Sequence, residues 1–214
     1  MDQKVRDRTK EELTTRKNEF LKICDVLDNL KIKYFLTSGI LLGAIRDKDF
    51  IKWDWDVELS VFVDDFIPKI DIIVDEIKNA NFKIDKIIRH KDNSKIDFIG
   101  SLPKNVTAYT IYAFRYSKIR NVFFRKELTI PAKFLDNFTK IIFLGREFNC
   151  PLYLEEYLSF VYGDWRTPLR TSDKKIYLTK NYKKRTFFFI VFIEKILMKI
   201  NSFILIIKNI FKSI

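Results

Sequence analysis

An alternation of acidic and apolar residues between Trp53 and Val61 is the feature that most restricts how this chain can fold. Asp54, Asp56 and Glu58 occupy every second position, and large apolar residues fill the positions between them. Because successive side chains of a β-strand point to opposite faces, this period predicts a half-buried strand with three carboxylates on one face. Neighbouring carboxylates on that face would lie roughly 6–7 Å apart.

Three carboxylates on one strand face repel one another and lower stability unless a cation lies between them. Carboxylate oxygens suit a hard divalent ion, so the pattern predicts a Mg²⁺ or Mn²⁺ site with Asp54, Asp56 and Glu58 as ligands. A solvated acidic strand face is the alternative. The rest of the chain is basic, with a formal net charge of +12, and the local acidic cluster therefore favours the metal site.

The positive charge of the chain predicts partners that carry phosphate, such as nucleotides, nucleic acid or an anionic membrane surface. Basic and aromatic residues are mixed between Lys118 and Lys126, but a two-faced strand gives the same mixture, so we favour the strand and rank nucleic acid below the other partners. His90 is the single histidine, which excludes metal sites built on histidine pairs. Cys24 and Cys150 are predicted to be core thiols, as in a reducing compartment.

A second motif follows a short predicted strand that ends at Ser38 and Gly39. A strand–glycine–helix junction can present backbone N–H groups to a phosphate, and Gly39 permits close approach or a positive φ. Gly43 follows within the same turn, and Arg46 can hold a phosphate with two parallel hydrogen bonds. Many such turns bind nothing, and a solvated surface arginine is the alternative for Arg46.

The periodicities of the remaining chain predict an α+β fold. Helical stripes cover residues 8–30, 67–77 and 153–162, and strands are predicted at 82–88, 95–99 and 110–116. Asp97 stands inside one of these strands, between apolar neighbours. Because a half-buried carboxylate needs a partner, we predict that Asp97 lies beside the acidic strand as a further carboxylate.

Residues 186–214 have a different character from the rest of the chain. Their apolar side chains occupy one helical arc of roughly 140°, and a basic cluster precedes them. No apolar run reaches the roughly 20 residues that span a bilayer, so we predict a helix lying on an anionic membrane surface. A helix that packs against another domain or chain is the alternative. We therefore divide the chain into a domain over 1–180 and a basic amphipathic tail over 181–214.

Three segments occur in a recognisable order. Residues 38–46 read Ser-Gly-Ile-Leu-Leu-Gly-Ala-Ile-Arg, residues 50–58 read Phe-Ile-Lys-Trp-Asp-Trp-Asp-Val-Glu, and residues 153–168 end in Tyr-Gly-Asp-Trp-Arg-Thr-Pro. They resemble the LicD/fukutin family of phosphotransferases, whose motifs are Gly-Thr-Leu-Leu-Gly-x-x-Arg, Phe-Ile-Pro-Trp-Asp-x-Asp-x-Asp and a closing Tyr-Gly-x-Trp-x-x-Pro. The order and spacing of the first two segments make this resemblance specific.

The resemblance implies a nucleotidyltransferase-like fold, in which a mixed β-sheet is flanked by helices. It also implies Mg²⁺-dependent transfer of a phospho-alcohol, such as phosphocholine or an alditol phosphate, from a CDP-linked donor to a cell-surface glycan. Carried over residue by residue, it gives catalytic and metal-binding roles to Asp54, Asp56 and Glu58, and substrate binding to Gly39, Gly43 and Arg46.

The chain departs from the family pattern at three positions. Ile40 stands where the family has Thr, so a hydroxyl contact to phosphate is lost there unless Ser38 supplies it. Glu58 replaces Asp, which lengthens one ligand and keeps its charge, and Lys52 replaces Pro without a predicted consequence. Asp97 resembles a later Asp-containing strand of the family and is predicted to orient or deprotonate the acceptor hydroxyl.

The expected enzyme is therefore a phosphotransferase bound peripherally to the inner, cytoplasmic face of the membrane. The chain opens with charged residues and shows no N-terminal segment resembling a signal peptide. Two alternatives stay open. One is nucleotidyl transfer to RNA, protein or a small molecule on the same fold, and the other is a non-catalytic basic adaptor that binds a membrane or nucleic acid through its positive charge.

Overall fold

The structure is a computed structural model, and it describes residues 5–90, 93–126, 128–171, 173–179 and 196. Within these residues the chain forms six α-helices and nine β-strands. The helices are α1 (Lys10–Asn29), α2 (Ser38–Leu42, continued by a π-helical turn at Gly43–Asp47), α3 (Val63–Phe66), α4 (Ile70–Asn79), α5 (Leu154–Tyr162) and α6 (Lys174–Tyr177). The strands are β1 (Tyr34–Leu36), β2 (Asp56–Phe62), β3 (Lys83–His90), β4 (Asn93–Ile99), β5 (Ala108–Ser117), β6 (Val122–Arg125), β7 (Leu128–Pro131), β8 (Phe138–Phe143) and β9 (Arg146–Pro151).

A mixed sheet organises the fold. Its strand order is β1-β2-β5-β4-β3, and β6 and β7 extend it from β5. Strands β2 and β5 are parallel, whereas the other neighbouring strands are antiparallel. Strands β8 and β9 form a separate hairpin. The prediction of an α+β fold with a mixed sheet and flanking helices is confirmed.

The long helix α1 is stabilised by a capped N-terminus and by an apolar stripe that packs into the core. Thr9 caps its N-terminus in a capping box with Glu12, and Phe20, Cys24 and Leu27 on one face are buried. Phe20 contacts the rings of three other phenylalanines, two of which belong to the β8–β9 hairpin. Cys24 and the second cysteine are both buried and free, so the prediction of core thiols is confirmed.

The acidic strand begins later than its alternating pattern predicts. Strand β2 starts at Asp56, and Trp53 and Asp54 lie in the turn before it. The Asp54 N–H donates to the Ile51 carbonyl at 3.0 Å, and the Asp54 Oδ1 accepts from the Trp55 N–H at 2.9 Å. Aspartate favours turns because its side chain bonds nearby backbone groups in this way, and this local bonding prevails over the strand period.

The predicted tail over 181–214 lies outside the described residues, apart from Ile196. The helices that the structure describes are all too short or too polar to cross a bilayer. The division of the chain at residue 180 therefore stays a prediction.

Candidate active site

A cavity of about 400 Å³ lies at the beginning of β2. Its volume falls within the roughly 300–1,000 Å³ of typical small-molecule sites. Most of the predicted site residues line it, namely Ser38, Gly39, Arg46, Asp54, Asp56 and Glu58. The fold thus brings together two sequence segments that are separated by the connector over residues 47–53.

Asp54 and Asp56 lie side by side at this cavity and are called the acidic pair below. A side-chain interaction with Asp56 acts on the Asp54 carboxyl group. Burial raises the pKa of Asp54, although the charge of Arg16 and the interaction with Asp56 act in the opposite direction. Burial also raises the pKa of Tyr177, and the nearby carboxylates of Asp56, Asp54 and Glu58 raise it further. The pair is therefore a site where a bound cation would be strongly favoured.

Gly39 is required by the position of Asp54. A Cβ atom at residue 39 would stand 2.4 Å from the Asp54 Oδ2, which is far inside van der Waals contact. The left-handed φ at this junction belongs to Ser38, at 54°, and not to the glycine. Of the two predicted uses of Gly39, close approach is therefore the one that the structure shows, and the approaching group is a carboxylate of the protein.

Glu58 follows Asp56 on the same face of β2 and bonds to groups from other strands. Its Oε2 accepts from the Tyr112 hydroxyl at 3.2 Å, and its Oε1 lies 3.6 Å from the Arg125 Nη2. The Arg125 guanidinium stacks 3.2 Å from the centre of the Tyr112 ring. The buried Tyr112 hydroxyl also lies 2.9 Å from the Ser38 Oγ, which connects Glu58 to the start of α2.

The predicted metal ligands are Asp54, Asp56 and Glu58, and the structure shows which of them lie close to one another. Among the residues that the structure describes, no three His, Cys, Asp or Glu side chains come close enough to hold a metal ion between them. The predicted three-carboxylate set is not assembled, because Asp54 leaves the strand and Glu58 pairs with Arg125. The acidic pair nevertheless fits Mg²⁺, which takes one or two carboxylates and completes its shell with water and phosphate oxygens.

Arg46 reaches the cavity with its orientation fixed by a neighbour. Its Nε and Nη2 donate to the two carboxylate oxygens of Asp47 at 2.7 and 2.8 Å. The guanidinium also lies 5.9 Å from the centre of the Trp53 ring. A planar guanidinium held in this way presents its remaining N–H groups in a fixed direction. Binding of a phosphate by Arg46 stays a prediction.

Two predicted site residues lie away from the cavity lining. A Cβ atom at Gly43 would stand 2.6 Å from the Asp49 carbonyl oxygen, so this glycine lets the π-helical turn pack against the following connector. Asp97 accepts a hydrogen bond from Thr110 at 2.9 Å and forms an ion pair with Lys95. The need of Asp97 for a partner is thus confirmed, but its partner is a lysine on its own strand.

The pairing of strands β2, β5 and β4 shows where Asp97 lies relative to the cavity. Thr110 on β5 is paired with Asp97 on β4 and with Glu58 on β2, so the three side chains share one face of the sheet. Strands two apart are separated by roughly 9–10 Å, which leaves Asp97 one strand beyond the cavity. Its catalytic role stays a prediction that this geometry does not support.

The third motif segment also contributes to the lining of the cavity. Tyr162, Asp164, Trp165 and Thr167 line it, and the following stretch adds Tyr177. With Trp53 and Trp55 these side chains make the cavity strongly aromatic. Aromatic faces of this kind stack on nucleobases and attract alkylammonium cations.

Arg125, Tyr112 and Arg16 are residues that the sequence reasoning missed. Arg125 stands in a basic and aromatic stretch that was interpreted as a two-faced strand, and β6 confirms that strand. Tyr112 lies within the strand predicted over 110–116, and nothing in that pattern distinguishes it from its neighbours. Only pairing across the sheet brings Arg125 and Tyr112 to Glu58, and no local sequence signal marks that pairing.

Comparison with known protein families agrees with this geometry. Residues 31–152 match the profile of the LicD/FKTN/FKRP family, nucleotidyltransferase domain, which is more than half of the chain. The chain belongs to the LicD/FKTN/FKRP family. The matched region contains both motif segments that meet at the acidic pair, so the resemblance predicted from residues 38–58 is confirmed.

Two curated relatives are similar to a short part of this LicD/FKTN/FKRP domain. Ribitol 5-phosphate transferase FKRP from Mus musculus and from Homo sapiens are each 42% identical over 43 residues. That alignment covers 20% of this chain and 9% of each relative, so the chain spans only a small part of their length. Among solved structures, the antibiotic-resistance factor ANT(2'')-Ia has a TM-score of 0.49 at 15% identity, over 77% of this chain and 80% of the other.

Proposed function

We propose that this protein is a Mg²⁺-dependent phosphotransferase that moves a phospho-alcohol from a CDP-linked donor to a cell-surface glycan. The alcohol would be choline or an alditol, and the names of the mouse and human relatives describe transfer of ribitol 5-phosphate. The observation that carries the proposal is the acidic pair, held inside a cavity of about 400 Å³ by both motif segments of the family.

Asp54 and Asp56 would hold the Mg²⁺ ion. When bound, the ion supplies positive charge that neutralises the donor diphosphate. The charge of the cavity supports the need for a bound cation, because the described lining has four carboxylates and two guanidinium groups. A diphosphate would be repelled by such a lining without an added cation.

The remaining lining residues suit the parts of a CDP-linked donor. The Ser38 hydroxyl and the Arg46 guanidinium are hydrogen-bond donors at the same cavity and would contact phosphate oxygens. Trp53 and Trp55 are half-buried in the lining and can offer faces on which a cytosine base stacks. The same faces attract a choline ammonium group by cation–π interaction, so the aromatic lining is compatible with either alcohol.

Glu58 is the cavity carboxylate that we assign to the acceptor. Its Oε2 accepts from the Tyr112 hydroxyl at 3.2 Å, and its Oε1 lies 3.6 Å from the Arg125 Nη2, which is longer than a hydrogen bond. As the acceptor oxygen bonds to phosphorus and CMP leaves, Glu58 would take the acceptor proton. This role was predicted for Asp97, which lies outside the cavity lining.

Two single substitutions separate these roles. Asp56→Asn is expected to lose both Mn²⁺ binding and turnover of labelled CDP-choline and CDP-ribitol. Glu58→Gln is expected to keep its Mn²⁺ affinity within a few-fold and to lose at least 10²-fold in turnover, as expected for a general base. Asp97→Asn is the matched control and should keep turnover. Full turnover by a double Asp56→Ala, Glu58→Ala variant would refute the assignment.

Nucleotidyl transfer is the second candidate, because the matched family profile describes a nucleotidyltransferase domain. Incubation with α-labelled CTP or ATP, beside the labelled CDP-linked donors, distinguishes the two reactions by which label reaches an acceptor. A non-catalytic basic adaptor would transfer no label, and its melting temperature would not respond to Mg²⁺ or nucleotide.

We further propose that residues 186–214 hold the enzyme at the cytoplasmic face of the membrane. The support is the apolar arc and the preceding basic cluster of the sequence, since this segment lies outside the described residues. Deletion of 186–214 should abolish sedimentation with phosphatidylglycerol vesicles at low salt, with phosphatidylcholine vesicles as control. Unchanged sedimentation of the truncated protein would contradict this anchor.

A further inference from the structure

Arg16 is a buried arginine in the middle of α1, with only 1% of its surface exposed. Its Nη2 donates to the Asp54 carbonyl at 2.7 Å and to the Val106 carbonyl at 3.1 Å. Its Nε and Nη2 also donate to the Thr107 hydroxyl at 3.2 and 3.1 Å. One guanidinium therefore joins the turn that enters β2 to the loop that enters β5.

A core built for stability alone would place an apolar side chain here. Burial lowers the pKa of Arg16, which reports the cost of removing its charge from water. Its Nη1 is buried and has no hydrogen-bond partner among the described residues. Arg8 adds a second cation, because its Nε donates to the same Asp54 carbonyl at 3.2 Å. Two arginines thus converge on one backbone oxygen, where their like charges repel.

We propose that Arg16 is a positioning residue that fixes the backbone of Asp54 and thereby keeps the acidic pair assembled. Its contact is to the carbonyl of Asp54, so the carboxylate stays free to face Asp56 and the cavity. Asp54 lies two residues before β2 begins at Asp56, and its N–H and carboxylate bond to the neighbouring turn, at the Ile51 carbonyl and the Trp55 N–H. The inference rests on the proposed function in so far as the pair holds the metal ion.

The Trp55 amide is a probe of this position that needs no metal. It donates to the Asp54 Oδ1 at 2.9 Å, so its hydrogen exchange reports whether that carboxylate is in place. Arg16 lies outside the region 31–152 that matches the family, and no motif of the sequence marks it. Its role follows from packing alone.

The experiment compares Arg16→Met with wild type and with a control on the same helix. Glu19→Gln is that control, because Glu19 is also buried on α1 but bonds to Ser101 and Tyr109, away from Asp54. Groups that orient a metal ligand typically change metal affinity by roughly 10–100-fold when removed. We therefore expect Arg16→Met to raise the Mn²⁺ dissociation constant by about that factor and Glu19→Gln to leave it unchanged.

Amide exchange measured by NMR without metal gives the second readout. Arg16→Met should speed exchange at the Trp55 amide at least 10-fold relative to Glu19→Gln, and Arg16→Lys should restore part of the protection. If Arg16→Met does not fold, Thr107→Val replaces it, because this near-isosteric change removes only one acceptor of the guanidinium.

The two readouts keep the inference and the proposed function apart. Wild-type Mn²⁺ affinity together with wild-type Trp55 protection in the Arg16 variants would overturn the positioning role. Absence of Mn²⁺ binding to the wild-type protein would overturn the proposed metal instead, and the exchange at Trp55 would still decide the role of Arg16.

Discussion

Replacement of Gly39 by alanine tests the link between packing and the acidic pair most directly. The added Cβ would stand 2.4 Å from the Asp54 Oδ2, and ordinary contacts begin near 3.4 Å, so the carboxylate must move by about 1 Å. The nearest obstructing atom is the end of a side chain, and the backbone of α2 can remain in place. The change therefore displaces a proposed ligand without disturbing the core.

The expected loss of activity is large and the expected loss of stability is small. A displacement of about 1 Å at reacting groups costs roughly 10²-fold in rate, or about 2.7 kcal/mol of activation free energy. Alanine is favoured over glycine in helices by about 1 kcal/mol, which offsets strain from the new contact in the unfolding free energy. Gly39→Ala should thus melt close to wild type and turn over donor about 100-fold more slowly.

The assay is kcat/KM for CMP release from a CDP-linked donor, beside Mn²⁺ affinity and urea unfolding. Gly145→Ala is the matched control, since Gly145 has a φ of 78° in the β8–β9 turn and a new Cβ there meets no atom of the described residues within 4 Å. It should lose about 1–2 kcal/mol of stability and keep full activity. Wild-type turnover and wild-type Mn²⁺ affinity in Gly39→Ala would refute the reasoning.

Three further predictions concern protonation and thiol reactivity. Burial raises the pKa of Asp54 above 3.8 in the folded protein. The metal-free protein therefore loses stability as pH rises from 3.8 through the raised pKa of the folded state. Asp54→Asn should melt above wild type at pH 8 in EDTA, and this gain should vanish below pH 3.8. Glu12 behaves in the opposite sense, because hydrogen bonding to Arg6 lowers its pKa to about 2. Glu12→Gln should melt below wild type at neutral pH, and the gap should close as pH falls from 4.5 toward 2. Burial raises the pKa of Cys24 and Cys150 to about 12, so iodoacetamide should label them at pH 8 only after denaturation, as mass spectrometry would show.

Much of the fold was predictable because strand and helix periods are local properties of a sequence. The helix predicted over 8–30 is observed as Lys10–Asn29, and the strands predicted over 95–99 and 110–116 are observed as Asn93–Ile99 and Ala108–Ser117. Asp56 and Glu58 share one face of β2, as alternation requires. The motif order also identified the family, because motif residues and their spacing are read directly from the chain.

The assembly of the site depended on contacts that no local pattern contains. Asp54 departs from the strand, since a turn offers its side chain and backbone nearby hydrogen bonds. Glu58 pairs with Arg125, and Arg16 holds the Asp54 carbonyl, across sequence separations that only the packed sheet and α1 close. The sequence by itself determined which carboxylates the chain carries and on what kind of element. The tertiary structure decided which of them adjoin, because desolvation and pairing with distant cations act only after the chain has folded.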